Sequence, residues 1–170
     1  MKTKIFATAI AILLANSSFA QQLATDSVIK KEISKLEFMV GSWEGEGWMM
    51  GRDGQKMEFV QTEEIQFKLD TTTLLIEGLG KHNEVVTHNA LAIISFNKEV
   101  GDYSFLSYLQ NGQKGEFKAE LIENKLYWYP NENSRYIIWI NSNGQWVETG
   151  EFNREDKWFQ FFEMTLDRAE

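Results

Sequence analysis

Glu116-Phe117-Lys118-Ala119-Glu120-Leu121 alternates charged and apolar side chains at every step. Successive side chains of a strand point to opposite faces, so this run predicts Phe117, Ala119 and Leu121 on a buried side and Glu116, Lys118 and Glu120 in water. A longer stretch repeats the pattern, with Met57, Phe59, Ile65, Phe67 and Leu69 opposite Glu58, Thr62, Glu64 and Lys68. Turn signals separate such runs at Gly51 to Gly54, Asp70-Thr71, Lys81 to Glu84, Asn97 to Asp102, Asn111-Gly112, Glu123-Asn124, Pro130 to Ser134, Asn141 to Gly144 and Asn153 to Asp156. Nine turns imply about ten strands from Ser42 onward. The connections are too short for parallel crossovers, so the strands form an antiparallel meander. Pro130, the only proline, is expected in a turn, where its missing N–H costs no ladder bond.

Ten strands that are wet on one side and apolar on the other must stack as a sandwich or close on themselves. A consecutive meander closes most simply as an up-and-down barrel, which leaves no exposed edge. The expectation is an all-β, ten-stranded barrel over residues 41–170. It has a hollow large enough for a small ligand unless aromatic side chains fill it. A membrane barrel would need an apolar outer band and a polar lumen, the reverse of this alternation, so membrane insertion is not expected.

One helix precedes the strands within residues 21–40. Asp26 or Ser27 serves as N-cap, and Ile29, Ile33, Leu36 and Val40 form one apolar stripe that ends at Gly41. Such a helix lids something apolar. Before it, residues 1–20 read as a secretory signal peptide. Lys2 and Lys4 give the positive start, Ile5 to Leu14 the apolar stretch, and Ser18-Phe19-Ala20 the cleavage site. The protein is therefore expected to be exported, periplasmic or secreted. Cleavage removes two lysines and no acid, leaving 15 basic and 25 acidic residues, a charge of -10 on 150 residues.

The whole chain of 170 residues carries a charge of -8, with no basic stripe to neutralise phosphates, so nucleic acid is not an expected partner. It has no cysteine, which excludes disulfides, thiolate chemistry and Cys-based metal sites.

Lys35-Leu36-Glu37-Phe38-Met39-Val40-Gly41-Ser42-Trp43-Glu44-Gly45-Glu46-Gly47 places a Gly-x-Trp signature just after the helix, and Thr165-Leu166-Asp167-Arg168 ends the last strand. The combination resembles the lipocalin-like (calycin) barrels. The wider opening is similar to the nitrobindin-like barrels and to a related bacterial family of unknown function, which the ending Phe161 to Arg168 also resembles. The resemblance implies barrel closure by Gly41, Trp43 and Arg168, with the guanidinium covering the indole. It does not imply heme. Nitrobindin-like proteins hold iron through a histidine late in the chain, and the two histidines here, His82 and His88, come well before it.

Within the first strand, Trp43, Gly45, Gly47 and Met49 share one side; the bare glycines either let the strand bend or let a ligand approach the backbone.

Polar residues on apolar faces are the candidates for ligand binding. Gln61 and Glu63 interrupt the row from Met57 to Leu69. They point into the hollow if the register holds, and into solvent if a bulge or the rim intervenes. His88 shares parity with Ala90, Ala92, Ile94 and Phe96, as a ligand-binding, proton-exchanging or structural imidazole at the mouth of that strand. Glu163 shares parity with Phe159, Phe161 and Thr165, and Glu77 with Leu75 and Leu79; both are candidate inward carboxyls or outward ion-pair formers. Trp128, flanked by Tyr127 and Tyr129, either stacks on a flat ligand or packs against another element. His82, Glu84 and His88 match no metal-ligand spacing, so no metal site is expected.

No nucleophile elbow, phosphate loop or dinucleotide fingerprint occurs. The expected function is reversible binding of a small, largely apolar molecule by Gln61, Glu63, His88, Trp128 and Glu163. The alternatives are an enzyme using an interior His or Glu as general base, and a filled barrel acting only as an interaction module.

Overall fold

A computed structural model describes residues 23–169. The proposed signal and its cleavage site lie outside the described residues. Ten antiparallel strands follow the helix: β1 (Gly41–Met50), β2 (Lys56–Lys68), β3 (Thr73–His82), β4 (Val85–Asn97), β5 (Asp102–Leu109), β6 (Lys114–Ile122), β7 (Lys125–Asn131), β8 (Ser134–Ile140), β9 (Trp146–Arg154) and β10 (Lys157–Arg168). Each pairs with its neighbours in sequence, and β1 pairs with β10 to close the barrel. The closing register runs from Trp43 opposite Arg168 to Met49 opposite Phe162.

Local sequence makes the turns. Asn83-Glu84, Glu123-Asn124 and Glu155-Asp156 are each a pair of consecutive residues with positive φ, between 48° and 63°. Such pairs form the two-residue hairpin loops whose twist suits antiparallel strands. Pro130 is a correction: it belongs to β7, not to the turn. The β7–β8 register shifts between Trp128 and Asn131, and the proline occupies this bulge, where no ladder donor is required.

The helix is also shorter than its apolar stripe suggests. α1 (Ser27–Ser34) is capped by the Asp26 side chain, which accepts from the Val28 and Ile29 N–H groups at 3.0 and 3.2 Å. A 3-10 turn (Glu37–Met39) follows, and Gly41 opens β1 instead of stopping a helix. The change of pitch turns Met39 inward in place of Val40, so that Ile33, Leu36 and Met39 are all fully buried. Each such burial stabilises by roughly 1.5–3 kcal/mol, which seats the segment as a plug in one end of the barrel. The Tyr103 hydroxyl donates to the Glu32 carbonyl at 2.9 Å and ties the plug to β5.

At that end Trp43 and Trp146 meet edge to face, 5.9 Å between ring centres. The Trp43 indole N–H donates to the Met39 carbonyl at 2.9 Å. The Arg168 guanidinium lies over the Trp43 ring at 4.3 Å and donates to the Val40 carbonyl at 3.1 Å. Gly41 has φ +138°, and a Cβ there would stand 2.5 Å from the Arg168 Nη1. The bare backbone at Gly41 is what lets the arginine fold down over the tryptophan.

Candidate functional site

From the plugged end, β1 climbs from Trp43 to Met49, β2 descends from Met57 to Ile65, and every hairpin repeats that course. The far ends of the strands therefore surround an open mouth, which includes Met49, His88, Leu109 and Lys114. Between mouth and plug lies a cavity of about 770 Å³. Its walls are mainly apolar. Phe105, Trp128 and Tyr136 stack in series, 4.6 Å apart at 4° and 4.4 Å apart at 6°. Trp128 thus faces inward as the middle ring of an aromatic wall, while the neighbouring Tyr129 hydroxyl donates to Glu120 at 3.2 Å on the other face. The aromatic side chains line the hollow without filling it.

Gln61 and Glu63 point inward, only 4% and 6% exposed, because β2 keeps its register through them. They fit there because of what stands opposite. The register partners are Gly80 for Gln61 and Gly78 for Glu63. A Cβ on Gly78 would come within 2.7 Å of the Glu63 Oε1, and one on Gly80 would collide with the Gln61 Oε1. Gly78-Leu79-Gly80 is a bare strip of wall into which the two polar side chains fold. The Gln61 amide donates to the Glu63 Oε1 at 2.7 Å. The other carboxyl oxygen, Oε2, is buried without a partner.

A second interior carboxyl, Glu148 on β9, is not among the residues that the sequence singles out. It is 9% exposed and lines the same cavity. Burial, and then the nearby Glu63 carboxyl, push its pKa up to about 8 against the opposing pull of the Trp128 and Trp146 indoles. Burial likewise pushes Glu63 up to about 7, with the Gln61 hydrogen bond opposing. The two indole N–H groups lie close enough to favour a charged Glu148, yet neither reaches a partner at hydrogen-bonding geometry. The floor of the cavity is therefore a polar cluster of two carboxyls, one amide and two indole donors inside an apolar wall. Parity does carry a signal for Glu148: it stands two residues after Trp146 and two before Gly150, on the face that holds the buried indole.

His88 stands at the mouth, and desolvation against the wall pulls its pKa below the ordinary histidine range. Glu163 is a correction. The β9–β10 register shifts between Gln160 and Phe162, so parity counted from Phe159 and Phe161 inverts beyond the bulge. Phe162 and Met164 line the cavity, and Glu163 faces outward, where it accepts from the Gln160 amide at 2.6 Å. Glu77 is also outside: Leu74 and Ile76 are buried residues of β3, and Glu77 is exposed. The structure thus brings Gln61, Glu63, Trp128 and the mouth residue His88 to one cavity, adds Glu148, and removes Glu163.

No protein-family model and no curated protein sequence matches the chain. Solved structures do. The crystal structure of Rv2717c from M. tuberculosis superposes with a TM-score of 0.58 at 9% identity, covering 84% of this chain and 98% of that one. The S-type phycobiliprotein lyase CPES from Guillardia theta superposes with a TM-score of 0.54 at 12% identity, covering 86% of this chain and 98% of that one. The chain is a lipocalin-like (calycin-like) closed barrel in fold.

Proposed function

We propose that this protein is an exported binding protein that takes one small, largely apolar molecule into its barrel. The observation that carries the reading is the cavity of about 770 Å³, plugged at one end, open at the other, and walled by the stacked Phe105, Trp128 and Tyr136 rings. Apolar walls supply affinity, and a few convergent polar atoms fix orientation; here Gln61, Glu63, Glu148 and the two indole N–H groups play that part. His88 contacts whatever part of the ligand reaches the mouth. The opening around Trp43 and the ending at Arg168 support a kinship with the nitrobindin-like barrels and their uncharacterised bacterial relatives. No heme is assigned, since no histidine stands late in the chain.

A second reading is favoured by one observation. Two neighbouring carboxyls with raised pKa in an apolar cavity are the arrangement a general acid–base catalyst uses near neutral pH. In that case Glu63 and Glu148 exchange protons with the bound molecule, and the same hollow turns it over.

Native mass spectrometry of the full-length gene product, expressed in an exporting host and mixed with 9-hydroxymethylanthracene, tests the proposal. The expected species begins at Gln21 and carries one equivalent of the anthracene alcohol. A chain that retains Met1 contradicts export, and the absence of any complex contradicts binding.

A further inference from the structure

Among the described residues, the floor of the cavity gathers two carboxyls and no fixed cation. Glu63 and Glu148 bring four carboxyl oxygens to one apolar space. The protein donors near them are the Gln61 amide, spent on Glu63 Oε1, the Trp128 and Trp146 indoles, which face Glu148 without completing a hydrogen bond, and the Tyr136 hydroxyl. Glu63 Oε2 is left without a partner although the residue is only 6% exposed. Such a buried oxygen costs free energy unless something donates to it. Among the described residues, no lysine or arginine lines the deep part of the cavity; Lys114, the one basic chain in the lining besides His88, is exposed at the mouth. The remaining titratable group of the wall is the Tyr136 hydroxyl, which burial and then Glu148 hold in its neutral form.

We infer that the molecule bound here is flat and apolar and carries one cationic nitrogen, an amine or a protonated heterocycle, seated between Glu63 and Glu148. The inference rests on the binding function proposed above and names the ligand class. An N–H donor on that nitrogen satisfies Glu63 Oε2, and its charge offsets the two carboxylates in a medium where an unpaired charge is costly. The aromatic wall adds to this, because ring faces attract cations as well as stack on flat molecules. An anionic ligand would instead meet the two carboxyls without a cation to receive it, and a neutral acceptor would find the two indole N–H groups and the Tyr136 hydroxyl but leave Glu63 Oε2 unpaired. The glycine strip at Gly78 and Gly80 fits the same design, since it keeps the Glu63 carboxyl folded against the wall and leaves the space in front of it free.

Three probes that share one ring system separate the possibilities: 9-aminomethylanthracene, a cation; 9-hydroxymethylanthracene, neutral; and anthracene-9-carboxylate, an anion. Their affinities for the mature protein are measured by probe fluorescence at pH 6 and pH 8.5, with the variants Glu63→Gln and Glu148→Gln and the double variant alongside. The expected result at pH 8.5 is at least tenfold tighter binding of the amine than of the alcohol, with the carboxylate weakest. That preference shrinks at pH 6, where the carboxyls hold protons, and disappears in the double variant while the alcohol still binds. Equal binding of amine and alcohol, tighter binding of the carboxylate, or a preference that survives the double substitution overturns the inference and leaves the binding proposal standing. Failure of all three probes to bind overturns both.

Discussion

The Glu63 carboxyl lies against the bare backbone of Gly78, its register partner across the β2–β3 ladder, close enough that a Cβ on the glycine would stand 2.7 Å from Oε1. An acid and a missing side chain face each other on adjacent strands. The pairing explains both how a carboxyl fits inside an apolar wall and why a central strand carries two glycines.

Gly78→Ala is therefore expected to push the carboxyl out of its seat and to destabilise the fold by about 1 kcal/mol, the direction set by crowding against a movable side chain. In a Glu63→Ala background the same change should be neutral or stabilising, because the space is then free and alanine suits a strand better than glycine. Urea unfolding of the four proteins measures the coupling; additive effects would contradict the contact.

Stability should fall as pH rises from about 5 to 8. Glu63 and Glu148 have folded pKa values of about 7 and about 8, above their unfolded value of 4.5, so across this interval the folded state binds more protons than the unfolded one. Stabilisation from these groups is present at low pH and is lost as the pH passes through the folded values. Asp26 and Asp70, held low by Lys98 and Lys30, act in the opposite sense below their ordinary value of 3.8. His88, held low by desolvation, opposes the two carboxyls below its ordinary value of 6.5, so they are least opposed between pH 6.5 and 8. Glu148→Gln is expected to raise stability at pH 8 by about 1–3 kcal/mol and to flatten the profile. Thermal unfolding against pH provides the measurement, and a profile that rises between pH 5 and 8 would contradict the burial of both carboxyls.

Arg168→Ala should cost about 1–2 kcal/mol, through loss of the contact with Trp43 and of the hydrogen bond to the Val40 carbonyl. Arg168→Lys should recover only part of this, since an ammonium cannot lie flat on the ring while reaching the carbonyl. Denaturant midpoints decide the order.

Glu163→Gln is expected to leave probe affinity unchanged within about twofold, because the side chain bonds Gln160 on the outer face. Trp128→Ala should weaken binding of a flat probe at least about tenfold by removing the middle ring of the stack. Titration of both variants against the same probe tests the inside and outside assignments together.

Strand parity is legible in the sequence wherever one face is plainly charged. β2 is the clearest case: Glu58, Thr62, Glu64 and Lys68 mark the outside, and parity then allows Gln61 and Glu63 inside. The sequence alone leaves a bulge or the rim open, and the unbroken β1–β2 register decides for the interior. Parity is illegible where both faces are apolar. In β3 the row of Leu75 and Leu79 looks like the row of Leu74 and Ile76, and the register glycines, not the leucines, mark the inside; Glu77 therefore resembles an interior acid without being one. In β10 a bulge inverts the count between Phe161 and Glu163, and no residue type announces it. Glu148 is hidden among its neighbours: a lone acid between Val147 and Thr149 reads as a surface residue until the burial of Trp146 fixes the face. The pairing of two carboxyls from β2 and β9 is a property of the closed barrel, which brings together residues far apart in sequence.

Ala92 lines the hollow and is only 5% exposed, so a phenylalanine there projects into the space a ligand would take. Tryptophan emission of the protein and of Ala92→Phe, titrated with 9-hydroxymethylanthracene and accompanied by circular dichroism, puts the cavity itself on trial. Saturable quenching at one equivalent in the parent, at least about tenfold weaker in a folded Ala92→Phe, is the result predicted by an open binding barrel. Unsaturable quenching, or identical titrations of the two folded proteins, would contradict it.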